Sequence, residues 1–342
     1  MRKIIGVLFF LLVCYEAYNV LVNTTHFSGE KESFVYNKET MSLDELADSL
    51  YAKKIIREKI SFSLMANVLK VAPKAKSGKF LVKRSTSLLT IIRMLRNNQQ
   101  ATVKFILNKV RTKGELAKLV ATTFEADSAE YAAFFNNNDS LAPFNTDTTQ
   151  LLALFIPNTY EFYWSTSLPK FLQKMNDQQA AFWNAKNRIN KAKKLGMSPN
   201  QVYTLASIVE EECNFDTDKT LIASVYLNRL KLGMPLQACP TIKFAMQDFT
   251  ITRIYEKYLS NPSPYNTYNK KGLPPGPICT PSPTTIDLVL NAPNTNYLYF
   301  VAKSDFSGYH HFSSTYSEHN KYADDYQKKL DEYQQKKAKE NK

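Results

Sequence analysis

The sequence predicts an α+β chain: an apolar leader, a small strand-and-helix module, and then a mixed helix and sheet domain occupying most of the remainder. Three observations carry this. Short β-branched and aromatic runs alternate with stretches in which apolar residues recur every three or four positions. Glycine is scarce, at nine of 342 residues, as suits a helix-rich chain. Nine of the fifteen prolines crowd between Pro235 and Pro283, which assigns that stretch to loops and edge strands. At 44% hydrophobic and 13% aromatic content the chain can bury a substantial core, which excludes a disordered protein.

At the N-terminus, Arg2 and Lys3 precede Ile4–Cys14, eleven apolar residues that are too few to cross a bilayer alone. Continuing to Val22 gives enough length only if Glu16 and Asn19 lie at the outer interface beside Tyr15 and Tyr18. The expectation is a single-pass signal anchor over 1–22, basic end inside, with the body of the protein on the extracytoplasmic side of the cytoplasmic membrane. A cleaved signal peptide needs small residues before the cut, and none are suitably placed. A lipidated Cys14 is disfavoured by the bulk of Val13.

The net charge of +13 comes from scattered lysines and from the tail KKLDEYQQKKAKENK. That tail alternates in sign and reads as a fraying helix end. No nucleic-acid motif accompanies the charge, so an anionic lipid or wall polymer is the expected counterpart rather than nucleic acid. Outside the leader, Cys213, Cys239 and Cys279 would face an oxidising compartment, where three thiols allow at most one bridge.

From about Glu30 to Asn137 one plan occurs three times: a β-rich run, a turn with Ser or Thr, then an amphipathic helix. SFVYNKETMSLDELADSL holds the first, with Ser42 as N-cap and Glu45 as capping-box partner. KFLVKRSTSLLTIIRML holds the second and VKFILNKVRTKGELAKLV the third. A further helix, EKISFSLMANVLKV, lies inside the first unit. Strand, two helices and the returning strand KFLV make a β-α-α-β unit over 30–98, and 99–147 forms a connecting α/β subdomain. FFNNNDSLAPFNTD, 134–147, reads as a linker or exposed loop. Beyond it, from 148 to 342, come LLALFIPNTYEFYW, a long helix over roughly 168–195, a helix capped by Ser198 with Pro199 at its first position, the strand NYLYFVA, and the terminal helix HNKYADDYQKKLDEY.

The chemistry centres on LASIVEEECN. On a helical wheel Val202, Ala206, Val209 and Cys213 form one apolar stripe, with Leu205 and Ile208 beside it. Glu211 points nearly opposite and is expected to be solvated. Glu210 lies at one border of the stripe. Glu212 falls between Leu205 and Ile208, where burial would raise its pKa toward that of a general acid; a border glutamate in a salt bridge is the alternative. In the next helix Asn228 sits within the apolar stripe of Leu221, Val225 and Leu232, where it either braces the core or addresses a ligand. The loops LQACPT, SPYNTY and GLPPGPICTPSP carry aromatic and amide side chains on proline-stiffened backbone, which suits sugar rings. His310, His311 and His319 lie near Glu318, but their spacing matches no zinc ligand set. No metal and no cofactor is expected.

The β-α-α-β unit resembles the LysM-like module of wall-binding proteins, with a plain α+β cap as the alternative reading. From about Pro157 onward, the series LASIVEEE, SVYLNRLKLGMPLQ, PT, YNTY, GLPPGPI, YLYFVA and HHFSSTYSEHN resembles the endolytic murein transglycosylases, the YceG-like group. The resemblance implies a membrane-anchored enzyme that cuts nascent peptidoglycan strands internally, beside the peptidoglycan synthases. It places the essential carboxylate on Glu212 and implies lytic cleavage of the MurNAc–GlcNAc bond, with the muramyl 6-hydroxyl closing a 1,6-anhydro ring. Asn228 and Gln237 are then expected to orient substrate, Tyr265, Asn266 and Thr267 to grip sugar or acetamido groups, and Arg229 to meet a stem-peptide carboxylate or a structural acid. Relatives often carry aspartate where Cys239 stands, so a second acid in that loop is in doubt. A Cys239–Cys279 bridge could clamp the two loops. A hydrolytic muramidase and a non-catalytic wall-binding scaffold are the competing readings.

Overall fold

The computed structural model describes residues 2–21, 25, 27, 32–37, 41–71, 74–75, 78–124, 126–251 and 254–340. The chain divides into two compact units, one of 1–105, 123–125 and 160–167, the other of 106–122, 126–159 and 168–342.

The first unit begins with α1 (Arg2–Leu21). Its continuous apolar part, Ile4–Cys14, spans about 16 Å at about 1.5 Å per residue, half of a hydrocarbon core of about 30 Å. The side chains of Glu16 and Asn19 and the position of Val22, on which a full crossing depends, lie outside the described residues. Among the described residues no helix is long and apolar enough to cross a membrane.

Strand β1 (Glu32–Asn37) pairs antiparallel with β4 (Gly78–Lys83), Glu32 opposite Lys83 and Asn37 opposite Gly78. Within that frame, β2 (Met41–Ser42) pairs antiparallel with β3 (Lys74–Ala75), enclosing helices α2 (Leu43–Ala52) and α3 (Lys59–Val68). Ser42 caps α2 as expected: its hydroxyl accepts from the Glu45 amide while Glu45 accepts from the Ser42 amide. Ser87 likewise caps α4 (Leu88–Arg96). Leu46, Leu50, Phe62, Ala66, Phe80, Ile91 and Ile92 close one core between these helices and β4.

The third expected unit supplies β5 (Thr102–Leu107) and α5 (Lys113–Phe124), but β5 pairs with β6 (Asn158–Tyr163) from beyond the expected linker. That linker is itself structured. After α6 (Ser128–Phe135), Asn137 accepts from the amides of Asp139 and Ser140 and starts the short α7 (Asn138–Leu141), and Leu141 and Phe144 are buried. Its polar letters are caps, and the apolar ones between them are core.

The helix expected over 168–195 is two helices, α8 (Leu168–Asn184) and α9 (Arg188–Lys194). Lys186 and Asn187 both adopt positive φ, which breaks the ladder. Arg188, nearly fully buried, donates to the Phe182 carbonyl and to both oxygens of Asp287 across the break.

The main core of the second unit joins α10 (Pro199–Glu212), α11 (Asp216–Lys231) and α14 (Pro283–Leu290) through Leu205, Ile208, Val209, Ile222, Ala223, Tyr226, Ile286 and Val289. The proline-rich stretch is not loop throughout: it contains α12 (Cys239–Met246) and the single turn α13 (Glu256–Leu259). Pro240 is tolerated because it occupies the first turn of α12, where its missing amide hydrogen would lack a partner anyway. The chain closes with the antiparallel pair β7 (Tyr299–Ala302) and β8 (His310–Ser313), then α15 (Tyr316–Glu340).

Candidate active site

Helix α10 is started by a capping box between Ser198 and Gln201 and stops at Glu212, because Cys213 turns to extended backbone. The three glutamates therefore occupy its last turn, where unsatisfied carbonyls make a carboxylate unwelcome. Each meets different company. Burial raises the pKa of Glu210, but Thr285, the Lys219 ammonium (3.1 Å) and Ser282 (3.2 Å) together outweigh it and hold the carboxyl below its ordinary value. Lys219 is 6% exposed and also donates to Thr285, so this pair is internal.

Glu211 is not the solvated residue expected from the wheel. Arg111 donates to it from both Nε (3.1 Å) and a terminal nitrogen (3.0 Å), and the Lys109 ammonium stands 2.9 Å away. The segment carrying those cations is tied down independently, as Thr280 donates its amide to Val110 and its hydroxyl accepts from the Val110 amide.

Among the described residues Glu212 has one side-chain hydrogen bond, from the phenol of Tyr226 at 2.5 Å. Burial raises its pKa to about 7; the Tyr226 bond and the more distant Lys243 charge act in the opposite sense, and Glu211 adds a small upward push. It is half-buried, on the wall of a cavity of about 280 Å3 lined also by Arg229, Leu236, Gln237, Cys239, Tyr268, Phe300 and His319. None of these other lining residues carries a carboxyl group.

Arg229, 7% exposed, gives Nε to the Leu298 carbonyl (2.7 Å) and one terminal nitrogen to the carbonyls of Pro235 and Leu236 and to the Gln237 side chain (3.1, 3.0 and 3.1 Å). No carboxylate pairs with it among the described residues, so it brings an uncompensated positive charge to the cavity wall. Burial lowers its pKa, and burial together with the Arg229 charge lowers that of His319. Gln237 adopts positive φ, fixing the loop so that its side chain reaches Arg229.

The other expected substrate residues do not line this cavity. Asn228 donates to the Thr295 and Tyr297 carbonyls, both at 2.9 Å, and anchors the approach to β7. Asn266, fully buried, donates to the Leu259 and Asn261 carbonyls and accepts from the Tyr268 amide. Thr267 accepts from the Ala238 amide and meets the Thr241 hydroxyl, while the Tyr265 ring packs on Phe244. Through these bonds the YNTY loop holds the Gln237–Cys239 segment against the cavity.

The expected Cys239–Cys279 bridge is absent: both are free thiols. Cys279 is buried and donates to the Ser207 carbonyl, whereas the Cys239 sulfur lies 3.2 Å from the Tyr268 hydroxyl at the cavity. Sequence reasoning missed Tyr226 and Phe300, took Tyr268 only as part of the SPYNTY loop, and weighed His319 only as a metal ligand. Tyr226 was within reach, since it precedes Arg229 by three residues and so shares its helix face. Of the clustered histidines, His310 is engaged by the buried Asp218, which accepts from both its amide and its ring nitrogen, at 2.7 and 2.9 Å.

An α+β unit with a perturbed carboxyl at a helix end, over a cavity with aromatic and cationic walls, defines a class of acid–base sites suited to a polar, ring-containing substrate. The chain belongs to the YceG-like family, whose sequence pattern matches residues 35–325. It is 39% identical over 171 residues to the endolytic murein transglycosylase of Bacillus subtilis strain 168, covering 50% of this chain and 46% of that protein. It is 32% identical over 157 residues to the endolytic murein transglycosylase of Streptococcus pneumoniae D39, covering 45% and 28%. The chain thus spans about half or less of the length of these curated relatives. The crystal structure of a YceG-like protein from Listeria monocytogenes, 24% identical, matches in fold with a TM-score of 0.56 over 86% of this chain and 99% of that one.

Proposed function

We propose that this chain is an endolytic lytic transglycosylase that cleaves the MurNAc–GlcNAc bond within nascent peptidoglycan strands, leaves 1,6-anhydro-MurNAc ends and so ends their elongation. One observation carries the reading: the cavity wall has a single carboxyl group, Glu212, its pKa raised to about 7 and its partner a neutral phenol. Protonated Glu212 gives its proton to the glycosidic oxygen as the bond from that oxygen to the muramyl anomeric carbon breaks. The muramyl 6-hydroxyl then attacks that carbon and returns its proton to the same carboxylate. No water is consumed, and the enzyme ends as it began. An ordinary hydrolase needs a second carboxylate as nucleophile or base, and Glu210 and Glu211 are already engaged by cations.

Arg229 and Gln237 meet substrate at the cavity wall in this reading, while Asn228, Tyr265, Asn266 and Thr267 contribute by holding the walls in place. The division of labour follows the sequence: a wall-binding, LysM-like module at 30–98, a connecting part at 99–147 and the catalytic part at 148–342. Attachment to the extracytoplasmic face of the membrane rests on the basic start and apolar run of the N-terminal helix, and work beside peptidoglycan synthases rests on the resemblance.

The test is mass analysis of products from full-length wild type and Glu212→Gln acting on uncross-linked nascent glycan. Anhydro-muramyl ends from the wild type, reduced about 10^3-fold or more in the variant, are expected. Reducing ends would mean a hydrolase. Undiminished function in the variant would mean a scaffold.

A further inference from the structure

A second and larger cavity, about 790 Å3, opens beside the N-terminal half of α10, and nothing in the reaction above uses it. Its volume lies within the usual range for small-ligand sites. One polar group in its wall is unspent among the described residues. The Oε1 of Gln150 is buried without a hydrogen-bond partner, while its amide nitrogen is fixed by the Pro275 carbonyl. Thr204, 2% exposed, brings a hydroxyl-bearing side chain to the same wall. A polar atom in such a place costs free energy until something bonds to it.

The lining also tells what kind of molecule would fit. Leu195, Met197, Leu227, Leu230 and Leu273 supply small apolar faces, and Lys231 adds an ammonium at the end of α11. No aromatic side chain and no carboxylate is present. Sugar rings are commonly held by aromatic faces, and those stand in the Glu212 cavity instead. A carbonyl acceptor, a hydroxyl, aliphatic walls and one cation suit a short peptide that has amide N–H groups, small side chains and a carboxylate.

Resting on the transglycosylase reading, we propose that this cavity binds the stem peptide borne by a muramyl residue of the strand. The spacing allows it: Thr204 and Glu212 are eight residues apart on one helix, about 12 Å along its axis, which an extended peptide of about four residues spans. The enzyme would then favour peptide-bearing strands over bare glycan, taking the sugar in one cavity and its branch in the other.

The experiment titrates full-length Glu212→Gln protein with two probes by calorimetry, the tripeptide L-Ala-γ-D-Glu-L-Lys and a peptide-free GlcNAc–MurNAc tetrasaccharide. Thr204→Val and Lys231→Ala, each added to that background, are expected to weaken tripeptide binding about fivefold, the scale of one hydrogen bond or exposed charge contact. Tetrasaccharide binding stays unchanged. In the Glu212 chain, Lys231→Ala should keep turnover of bare glycan and lose the preference for peptide-bearing strands. Lys231 is exposed, so that variant remains informative if Thr204→Val does not fold. No tripeptide binding, or binding indifferent to both substitutions, overturns the proposal. Tripeptide binding without lytic products would overturn the transglycosylase reading and leave this site standing.

Discussion

Glu210 and Glu212 stand two residues apart at the end of one helix and meet opposite surroundings. On the α14 side, Glu210 is met by an ammonium and two hydroxyls and is held as a carboxylate. On the cavity side, Glu212 is met by one phenol and is kept close to neutral, with a pKa of about 7. Burial pushes both upward, so desolvation alone does not make an acid catalyst. What separates them is the number of donors that converge on each. Glu210 has its charge fully answered, whereas Glu212 is left half answered, with a cavity in front of it.

The largest effect should follow from breaking the answered side. Lys219→Ala leaves the Glu210 carboxylate buried with only hydroxyl donors, and a loss of about 3 to 5 kcal/mol in denaturant unfolding is expected. The sign with pH is definite. The folded pKa of Glu210 lies below its unfolded value, so its contribution is present above about pH 4.5 and is lost as pH falls through the folded pKa. The gap between wild type and variant should therefore narrow in acid. A variant as stable as wild type at pH 7 would dissolve the contrast.

Glu212 should behave in the opposite way. Its folded pKa lies above the unfolded value, so its contribution is whole below about pH 4.5 and is lost as pH rises through about 7. Glu212→Gln, which cannot ionise, should be more stable than wild type at pH 8 by on the order of 2 kcal/mol, after allowance for its partial exposure. The two should converge near pH 5. Thermal unfolding across that range decides, and a constant difference would contradict the raised pKa.

Part of this contrast can be read along the sequence. The direction of Glu212 follows from helix phase, a local property, and the wheel placed it between Leu205 and Ile208. The caps at Ser42 and Ser198 are equally local. Glu211 was misread because the cations that cover it, Lys109 and Arg111, come from about 100 residues earlier in the chain, which no wheel contains. The bonds of the YNTY loop were hidden for the same reason: its letters suit a sugar, while Asn266 and Thr267 bond to Leu259 and Ala238, seven and 29 residues away. The break at Lys186 and Asn187 has no glycine or proline to mark it. It is stabilised by Arg188 reaching Asp287 in α14.

Tyr226→Phe sharpens the comparison further. Removing the phenol takes away a hydrogen bond that favours the carboxylate, so the pKa of Glu212 should climb beyond about 7. The alkaline limb of the pH–rate profile should then move up by about one pH unit, with a rate loss of about tenfold at its optimum. A purely structural role for Tyr226, which packs edge-on against Phe300, would lower activity at every pH and leave the limb in place.

The smallest effect belongs to the middle glutamate. Arg111→Ala removes a two-point bond to Glu211, yet the Arg111 side chain is 33% exposed and Lys109 remains at 2.9 Å to share the charge. Screening and the second cation limit the expected loss to about 0.5 to 1 kcal/mol, shrinking in high salt. Activity should hardly change, because Glu211 lies outside the cavity lining and adds only a small upward push to Glu212. If Arg111→Ala instead moved the alkaline limb as far as Tyr226→Phe does, Glu211 would be coupled to the acid far more strongly than its position implies. The three carboxyls would then have to be treated as one titrating group.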